Sequence, residues 1–315
     1  MNSPSNQLNK ALNDSIYSFE DWLGKGLIDA DEVLDWLNGD LSNSDKNELR
    51  SLALKILALR SPHEKVFALC AAYPIGKDYG FRLDTQRDWT GNDDLNHHCP
   101  GIPDKPELIH ATQTPRRSMN TAEGLAMTVH ALAHIEFNAI NLALDAMVRF
   151  AGLSDDYYWD WWRVAAEEAY HFSLIERRLV QLGAQYGDYP AHSGLWDMAE
   201  RTKGSFADRM AMVPRTLEAR GLDACPIMQE KFRQAGEVHS AQILDIILRD
   251  EINHVALGHR WFIHACAQNQ HEPIREYRRI GERHHAPRMR PPFNISARRA
   301  AGFFEEELSA WQNET

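Results

Sequence analysis

Arg249-Asp250-Glu251-Ile252-Asn253-His254 and, earlier in the chain, Ala166-Glu167-Glu168-Ala169-Tyr170-His171 share the form acid-acid-x-x-His. On an α-helix, residues three apart lie on one face, so Glu168 stands beside His171 and Glu251 beside His254. Two copies weaken chance as an explanation. Upstream of each copy lies another acid in an apolar helical setting: Glu136, 32 residues before Glu168, and Glu218, 33 residues before Glu251. The chain therefore repeats one unit, consisting of a helix with an inward Glu, a connection, and a helix with an inward Glu-x-x-His pair. Two such units supply the ligand set of a dinuclear carboxylate four-helix bundle.

Helical phase supports the repeat. At about 100° per residue, Glu136 shares its face with Val129, Leu132, Ala133, Ile140, Ala143 and Met147. The opposite side carries His130, His134, Asn138, Asn141 and Asp145, which suits a polar or partly exposed surface. Trp161, Val164, Ala165, Phe172, Ile175, Leu179 and Leu182 surround Glu168 and His171, and Leu244, Ile247, Leu248, Val255, Gly258 and Phe262 surround Glu251 and His254. Around Glu218 the phase is kept by Ala207, Ala211 and Leu222, but Pro214 inside the run predicts a kink or a break.

An ionised carboxylate in an apolar interior must neutralise, pair or bind a metal. Glu136, Glu168, Glu218 and Glu251 carry four negative charges and neutral His171 and His254 none, so two divalent cations would balance the set. Mixed carboxylate and imidazole donors suit iron or manganese, or a mixed manganese/iron pair, with zinc still open. No catalytic residue is assigned beyond these ligands. Glu167 and Asp250, on the histidine side of their helices, are placed to accept a hydrogen bond from a ligand imidazole and fix its tautomer.

The 315 residues, 43% of them hydrophobic, suffice for a packed core. A net charge of −11 and a pI near 5.7 argue against broad, nonspecific nucleic-acid binding. Residues 1–10 are polar without a signal-like apolar core, and no apolar run reaches spanning length, so a cytoplasmic protein without a membrane partner is expected. Cys70, Cys99, Cys225 and Cys266 form no Cys-x-x-Cys pair and are expected as reduced thiols.

Residues 1–75 read as an N-terminal helical appendage, with Ser15, Asp29 or Asp31, and Ser44 as helix caps and Ser61-Pro62 as a break. It is expected to cover the bundle or form a homodimer contact. Residues 76–120 read as a long irregular connection, the period being lost from Pro74 onward. His97-His98-Cys99 within it lacks partners at ligand spacing and reads as a loop cluster. The bundle spans 121–268, with helices expected at 121–150, 155–183, 195–220 and 228–268. The link holding Gly183, Gly187 and Pro190 is long enough to cross the bundle as in ferritin-like topology. Residues 269–315 form a basic tail with Arg275, Arg278, Arg279, Arg283, Arg288, Arg290, Arg298 and Arg299, expected to pack on the bundle; it either pairs with acids of the chain or engages the phosphates of an RNA. The expected class is all-α, a four-helix bundle with appendage, connection and tail.

Four stretches carry a resemblance: His130-Ala131-Leu132-Ala133-His134-Ile135-Glu136; Glu167-Glu168-Ala169-Tyr170-His171-Phe172; Met212-Val213-Pro214-Arg215-Thr216-Leu217-Glu218-Ala219-Arg220-Gly221-Leu222-Asp223; and Ile247-Leu248-Arg249-Asp250-Glu251-Ile252-Asn253-His254-Val255-Ala256. In these the chain resembles the domain-of-unknown-function 455 family of ferritin-like proteins. More distantly, its ligand plan is similar to the diiron hydroxylase acting on isopentenyl-adenosine in tRNA, to rubrerythrins and to ferritins. The resemblance implies a ferritin-like bundle, with Glu136 and Glu218 as terminal ligands, Glu168 and Glu251 bridging, and one imidazole, His171 or His254, per metal.

The functional expectation is a non-haem dinuclear iron oxidoreductase that uses dioxygen to hydroxylate or oxidise an organic substrate, a small molecule or a modified nucleotide, with electrons from an external donor. The alternative is ferroxidase action, peroxide scavenging or metal binding without an organic substrate. Tyr170, Trp161 and Phe172 lie near the ligands and read first as core packing. A structural or interaction protein with internally paired acids would not require the duplicated spacing.

Overall fold

The longest apolar-faced stretches of the chain become its longest helices. A computed structural model describes residues 18–24, 30–39, 41–114 and 118–312. It is all-helical: among the described residues no strand forms, and two isolated bridges join Glu48 to Arg82 and Leu108 to Ala191. The chain divides into two compact units, residues 1–192 and 193–315. The expected appendage and irregular connection both lie in the first.

The first unit holds α1 (Phe19–Gly24), α2 (Ala30–Asn38), α3 (Leu49–Ala58), α4 (Pro62–Tyr79), α5 (Ala122–Arg149) and α6 (Asp155–Gln181). Thr121 opens α5 by accepting the Gly124 N–H at 3.1 Å. Residues 150–154 return the chain into α6, and the two long helices pack together along their length. Tyr157 Oη donates to the Ala146 carbonyl at 2.9 Å and Tyr158 Oη to that of Phe150 at 3.0 Å, tying the start of α6 to the end of α5.

The far face of α5 departs from the sequence-based expectation. His130, Asn138, Asn141 and Asp145 are buried, not a solvated surface. Each is matched by a polar partner. Lys65 on α4 donates to Asn141 Oδ1 and to the Leu57 carbonyl, Arg149 pairs with Asp145 one turn away, and His130 Nε2 accepts the Gly187 N–H at 2.9 Å. Arg50 on α3 is fully buried and donates to the carbonyls of Met147 and Val148, at the end of α5, and of Asp84 and Arg87 in the following connection. Met147 and Val148 lie in the last turn of α5, where carbonyls lack helical donors, and one guanidinium satisfies several acceptors at once.

Local signals in residues 1–120 were partly misread. The expected break at Ser61-Pro62 is present, and Ser61 there caps α4 with Pro62 at its first position. The cap of α3 is Glu48, whose buried carboxylate accepts the Arg50 and Ser51 N–H groups, whereas Ser44 hydrogen-bonds Ser42. Ser18 caps α1; Ser15 and Asp29 lie outside the described residues, as does the Asp31 side chain. Helix α4 runs through Pro74 to Tyr79, so regular structure persists beyond the expected end at residue 73. Among the described residues from 80 to 121 the helical turns are short π and 3-10 ones, and His97 and His98 are exposed in the π turn Asp94–His98.

The second unit holds α7 (Gly194–Thr202), α8 (Phe206–Met212), a π-helical segment (Val213–Glu218), α9 (Ala219–Gln234), α10 (Val238–Gln268), α11 (Pro273–Arg283), α12 (Ile295–Ala300) and α13 (Glu305–Gln312). The single helix expected over 195–220 is three pieces, and that expected from 228 is two. Gly236, at φ 76°, ends α9, where the Glu237 N–H returns to the Phe232 carbonyl at 2.8 Å. Glu237 then caps α10 through the Ser240 N–H. This is a left-handed helix stop followed directly by a start.

Pro214 produces a wide turn, not a break. A proline removes one helical N–H, and the π register redistributes the carbonyls that lose donors. Thr216 Oγ1 supplies one replacement, to the Ala211 carbonyl at 2.7 Å. Helix α10 makes room for the proline at Gly258, where a Cβ would lie 2.3 Å from the Pro214 Cβ and 2.6 Å from its Cγ. Below this contact Arg215 is fully buried; its Nη2 reaches both Glu307 oxygens at 2.7 Å, its Nε donates to His259 Nδ1 at 3.1 Å, and its guanidinium stacks on Tyr277.

The basic tail pairs extensively within this unit. Arg298, also buried, forms a two-pronged pair with Asp223; Arg279 pairs with Glu276, Arg283 with Asp208, and Arg299 with Glu305. Arg275, Arg288 and Arg290 are exposed.

Gly258→Ala should lower stability by about 1–3 kcal/mol, the usual cost of overfilling a packed contact, read as a lower urea midpoint. An unchanged midpoint would mean that the Pro214 contact yields freely. A second expectation concerns acid. Burial, reinforced by the Arg215 charge, pushes His259 from 6.5 down to about 4. Its neutral form therefore contributes stability above pH 6.5, and that contribution is lost as pH falls from 6.5 towards 4, on the order of 3 kcal/mol at most. Thermal melts between pH 7 and 4 should fall more steeply for the wild type than for His259→Gln; parallel curves would refute this.

Candidate metal centre

Helices α5 and α6 carry the first group of candidate ligands into the interior of the first unit. Glu136 is 4% exposed, and Glu168 and His171 are fully buried. His171 Nδ1 lies 3.2 Å from Glu168 Oε2 and 3.5 Å from Glu136 Oε2. One donor atom from each of the three lies within 4.8 Å of the others. Their surroundings are apolar, with Ala133, Ile140, Val164, Ala165 and Ile175 all buried.

The local fold explains this convergence. The i, i+3 spacing sets Glu168 beside His171 on one face of α6, and the packing of α5 against α6 brings Glu136 to the same place. Two carboxylates facing one imidazole in an apolar interior bring two anionic donors and at most one positive charge to one place. A divalent cation would relieve that imbalance, and the oxygen and nitrogen donors suit a transition ion. This buried Glu/His cluster can hold a metal ion.

The second unit repeats the pattern. On α10, Glu251 is 9% exposed and His254 fully buried, with His254 Nδ1 3.8 Å from Glu251 Oε1. Glu218 is the last residue of the π segment, which packs on α10, and is half-buried. In both units the imidazole turns Nδ1 towards the carboxylate three residues before it.

Glu167 and Asp250, expected to steady the imidazoles, each hold an arginine. Arg163 Nε donates to Glu167 at 2.8 Å, and Arg249 grips Asp250 with two bonds at 2.8 and 2.9 Å. The Arg163–Glu167 spacing of four was a readable helical pair. Less readable was the layer behind α5. His134 Nδ1 faces Tyr186 Oη at 2.8 Å, and its Nε2 faces the His192 carbonyl at 3.1 Å. Burial pushes His134 down to about 4, so it is neutral, with Nε2–H donating and Nδ1 accepting. Tyr186 also packs against Phe137 and Phe172, closing residues 183–192 over α5 and α6. Nothing in the spacing of these residues announced that cover. Tyr170, Trp161 and Phe172 are buried as core packing.

Among the described residues no helix is long and apolar enough to cross a membrane. The cysteines at 70, 99, 225 and 266 are free thiols, as expected.

Comparison with known proteins supports the DUF455 resemblance. An uncharacterized protein of Haemophilus influenzae is 46% identical over 215 residues, which cover 66% of this chain and 74% of the relative. No solved structure matches. The family described as "Protein of unknown function (DUF455)" matches residues 59–309, a span that includes all six candidate ligands. The chain belongs to the DUF455 family.

Proposed function

We propose that the two groups of donors, Glu136, Glu168 and His171 from one unit and Glu218, Glu251 and His254 from the other, close on a single centre for two divalent ions within a ferritin-like four-helix bundle. On this reading the protein is a non-haem dinuclear iron, or mixed manganese/iron, oxidoreductase that uses dioxygen to hydroxylate or oxidise an organic molecule. The observation that carries it is the convergence of Glu136, Glu168 and His171 in an apolar interior, echoed by the buried Glu251 and His254. Four carboxylates and two neutral imidazoles balance two divalent cations.

Bound there, reduced iron would supply the electrons that dioxygen requires. The chain's own contribution is positional. The apolar residues around Glu168 and His171 exclude water, and the carboxylates fix where the ions sit. With Nδ1 of His171 and His254 turned to the ions, each Nε2–H needs an acceptor. Glu167 and Asp250 would take those protons in hydrogen bonds and hold the tautomers, their carboxylates positioned by Arg163 and Arg249.

The protein purified without added metal should contain about two ions per chain by elemental analysis. Anaerobic ferrous loading should raise its melting temperature, as any ligand of the folded state does. Glu168→Ala and His171→Ala should lose both effects. A wild-type protein that takes up no ion would defeat the reading, and a large excess of iron per chain would favour storage over a fixed centre. Asp250→Asn should keep the fold, by circular dichroism, while weakening metal retention about 10–100-fold; unchanged metal content would remove Asp250 from the supporting role.

A further inference from the structure

Glu218 is held differently from Glu136. Glu136 stands in the middle of the regular helix α5, whereas Glu218 closes the π segment Val213–Glu218. There the Ala219 N–H reaches back to the Pro214 carbonyl, one residue further than an α-helical bond spans. The wide turn competes with the α register. Relaxing by one residue would rotate Glu218 by about 100° relative to the chain before it.

Three consecutive side chains oppose that relaxation. Pro214 has no N–H to give to an α register, and its ring is seated against Gly258 of α10. Thr216 Oγ1 donates its one proton to the Ala211 carbonyl at 2.7 Å, so Tyr277 Oη must be the donor in the 2.8 Å bond between the two hydroxyls. Between them Arg215, fully buried, reaches out of the segment. Its Nε donates to His259 Nδ1 on α10, its Nη2 to both oxygens of Glu307 on α13, and its guanidinium lies 4.0 Å from the centre of the Tyr277 ring and 4.9 Å from that of Phe303. Helix α10 also carries Glu251 and His254. The Arg215–His259 bond and the Pro214–Gly258 contact therefore fix the π segment against the helix whose ligands Glu218 has to join, and the whole brace lies within the second unit.

We propose, resting on the two-ion reading above, that Arg215, Tyr277 and Glu307 are positioning residues for Glu218: they hold the π register, and through it the C-terminal helix α13 governs retention of the second ion. Glu136 takes its place from an ordinary α-helical ladder in the other unit. Loosening the brace should accordingly release one ion and leave the other bound.

Anaerobic titration with Mn²⁺, followed by electron paramagnetic resonance, tells the two ions apart, because an isolated ion shows a resolved hyperfine pattern that coupling to a close neighbour broadens away. Wild-type protein should lose that pattern as the second ion enters. Glu307→Gln should weaken the second ion about 10–100-fold. Tyr277→Phe, which removes one hydroxyl and keeps the ring under Arg215, should weaken it about 3–10-fold. In both, the first ion should stay bound and the isolated-ion pattern persist to higher Mn²⁺. Arg209→Lys is the control: Arg209 ties α8 to α7 through Thr202 and the Ala199 carbonyl, and its variant should keep the second ion even where it lowers the melting temperature of the metal-free protein as much. A second ion held by either brace variant as tightly as by the wild type, loss of both ions together, or equal weakening by Arg209→Lys would each overturn the proposal. If Glu307→Gln fails to fold, Tyr277→Phe still decides. Wild-type protein that takes up no second ion would instead remove the two-ion reading, and this proposal with it.

Discussion

Glu136 and Glu168 bring two carboxylates against one imidazole in a region from which α5 and α6 exclude water. A carboxylate left ionised there forfeits several kcal/mol of hydration unless something of opposite charge replaces it. That deficit is the constraint around which the first unit is arranged. It explains why the acids stand on otherwise apolar faces, why an imidazole follows one of them by three residues, and why the surrounding residues are aliphatic. A metal ion is the simplest counter-charge for such a set, because it brings two positive charges into a small volume.

The same principle governs the layer behind α5, with a different solution. Lys65, Arg149 and His130 bury polar atoms there, but each finds a protein partner. Burial pushes Lys65 down to about 7, and its ammonium sits against the oxygens of Leu57 and Asn141 and over the Phe137 ring. One helix thus has two buried polar faces. The rear face is closed by hydrogen bonds among side chains and loops, whereas the front face presents donors suited to a cation. That contrast separates structural polarity from candidate chemistry more sharply than burial alone.

Much of this was legible in the chain itself. The Glu-x-x-His repeats, the positions of α5 and α6 to within a few residues, and the all-helical class follow from spacing and apolar period. The failures share a cause. Residues such as His130, Asn141 and Asp145 look solvent-facing by pattern, because a one-dimensional period cannot reveal that α3, α4 and residues 183–192 supply a second cover. Pro214 suggested a kink or a break, and local propensity could not register that Gly258, some forty residues on, leaves space for its ring. Glu48 outcompeted Ser44 as a cap because its longer side chain also reaches the Asp84 N–H. The arginine-rich tail was readable either as paired with acids of the chain or as an RNA surface, and Arg298, sealed inside against Asp223, follows the first reading.

Arg50 has a consequence for the axial height of Glu136. One guanidinium holds the last carbonyls of α5 and two carbonyls of the neighbouring chain between residues 84 and 87. Sliding α5 along its axis would strain all of these bonds together, with no intermediate stop that restores them. The arrangement acts as a datum: the level at which the Glu136 carboxylate meets α6 is indexed from the far end of the helix, by a residue 86 positions earlier in the chain.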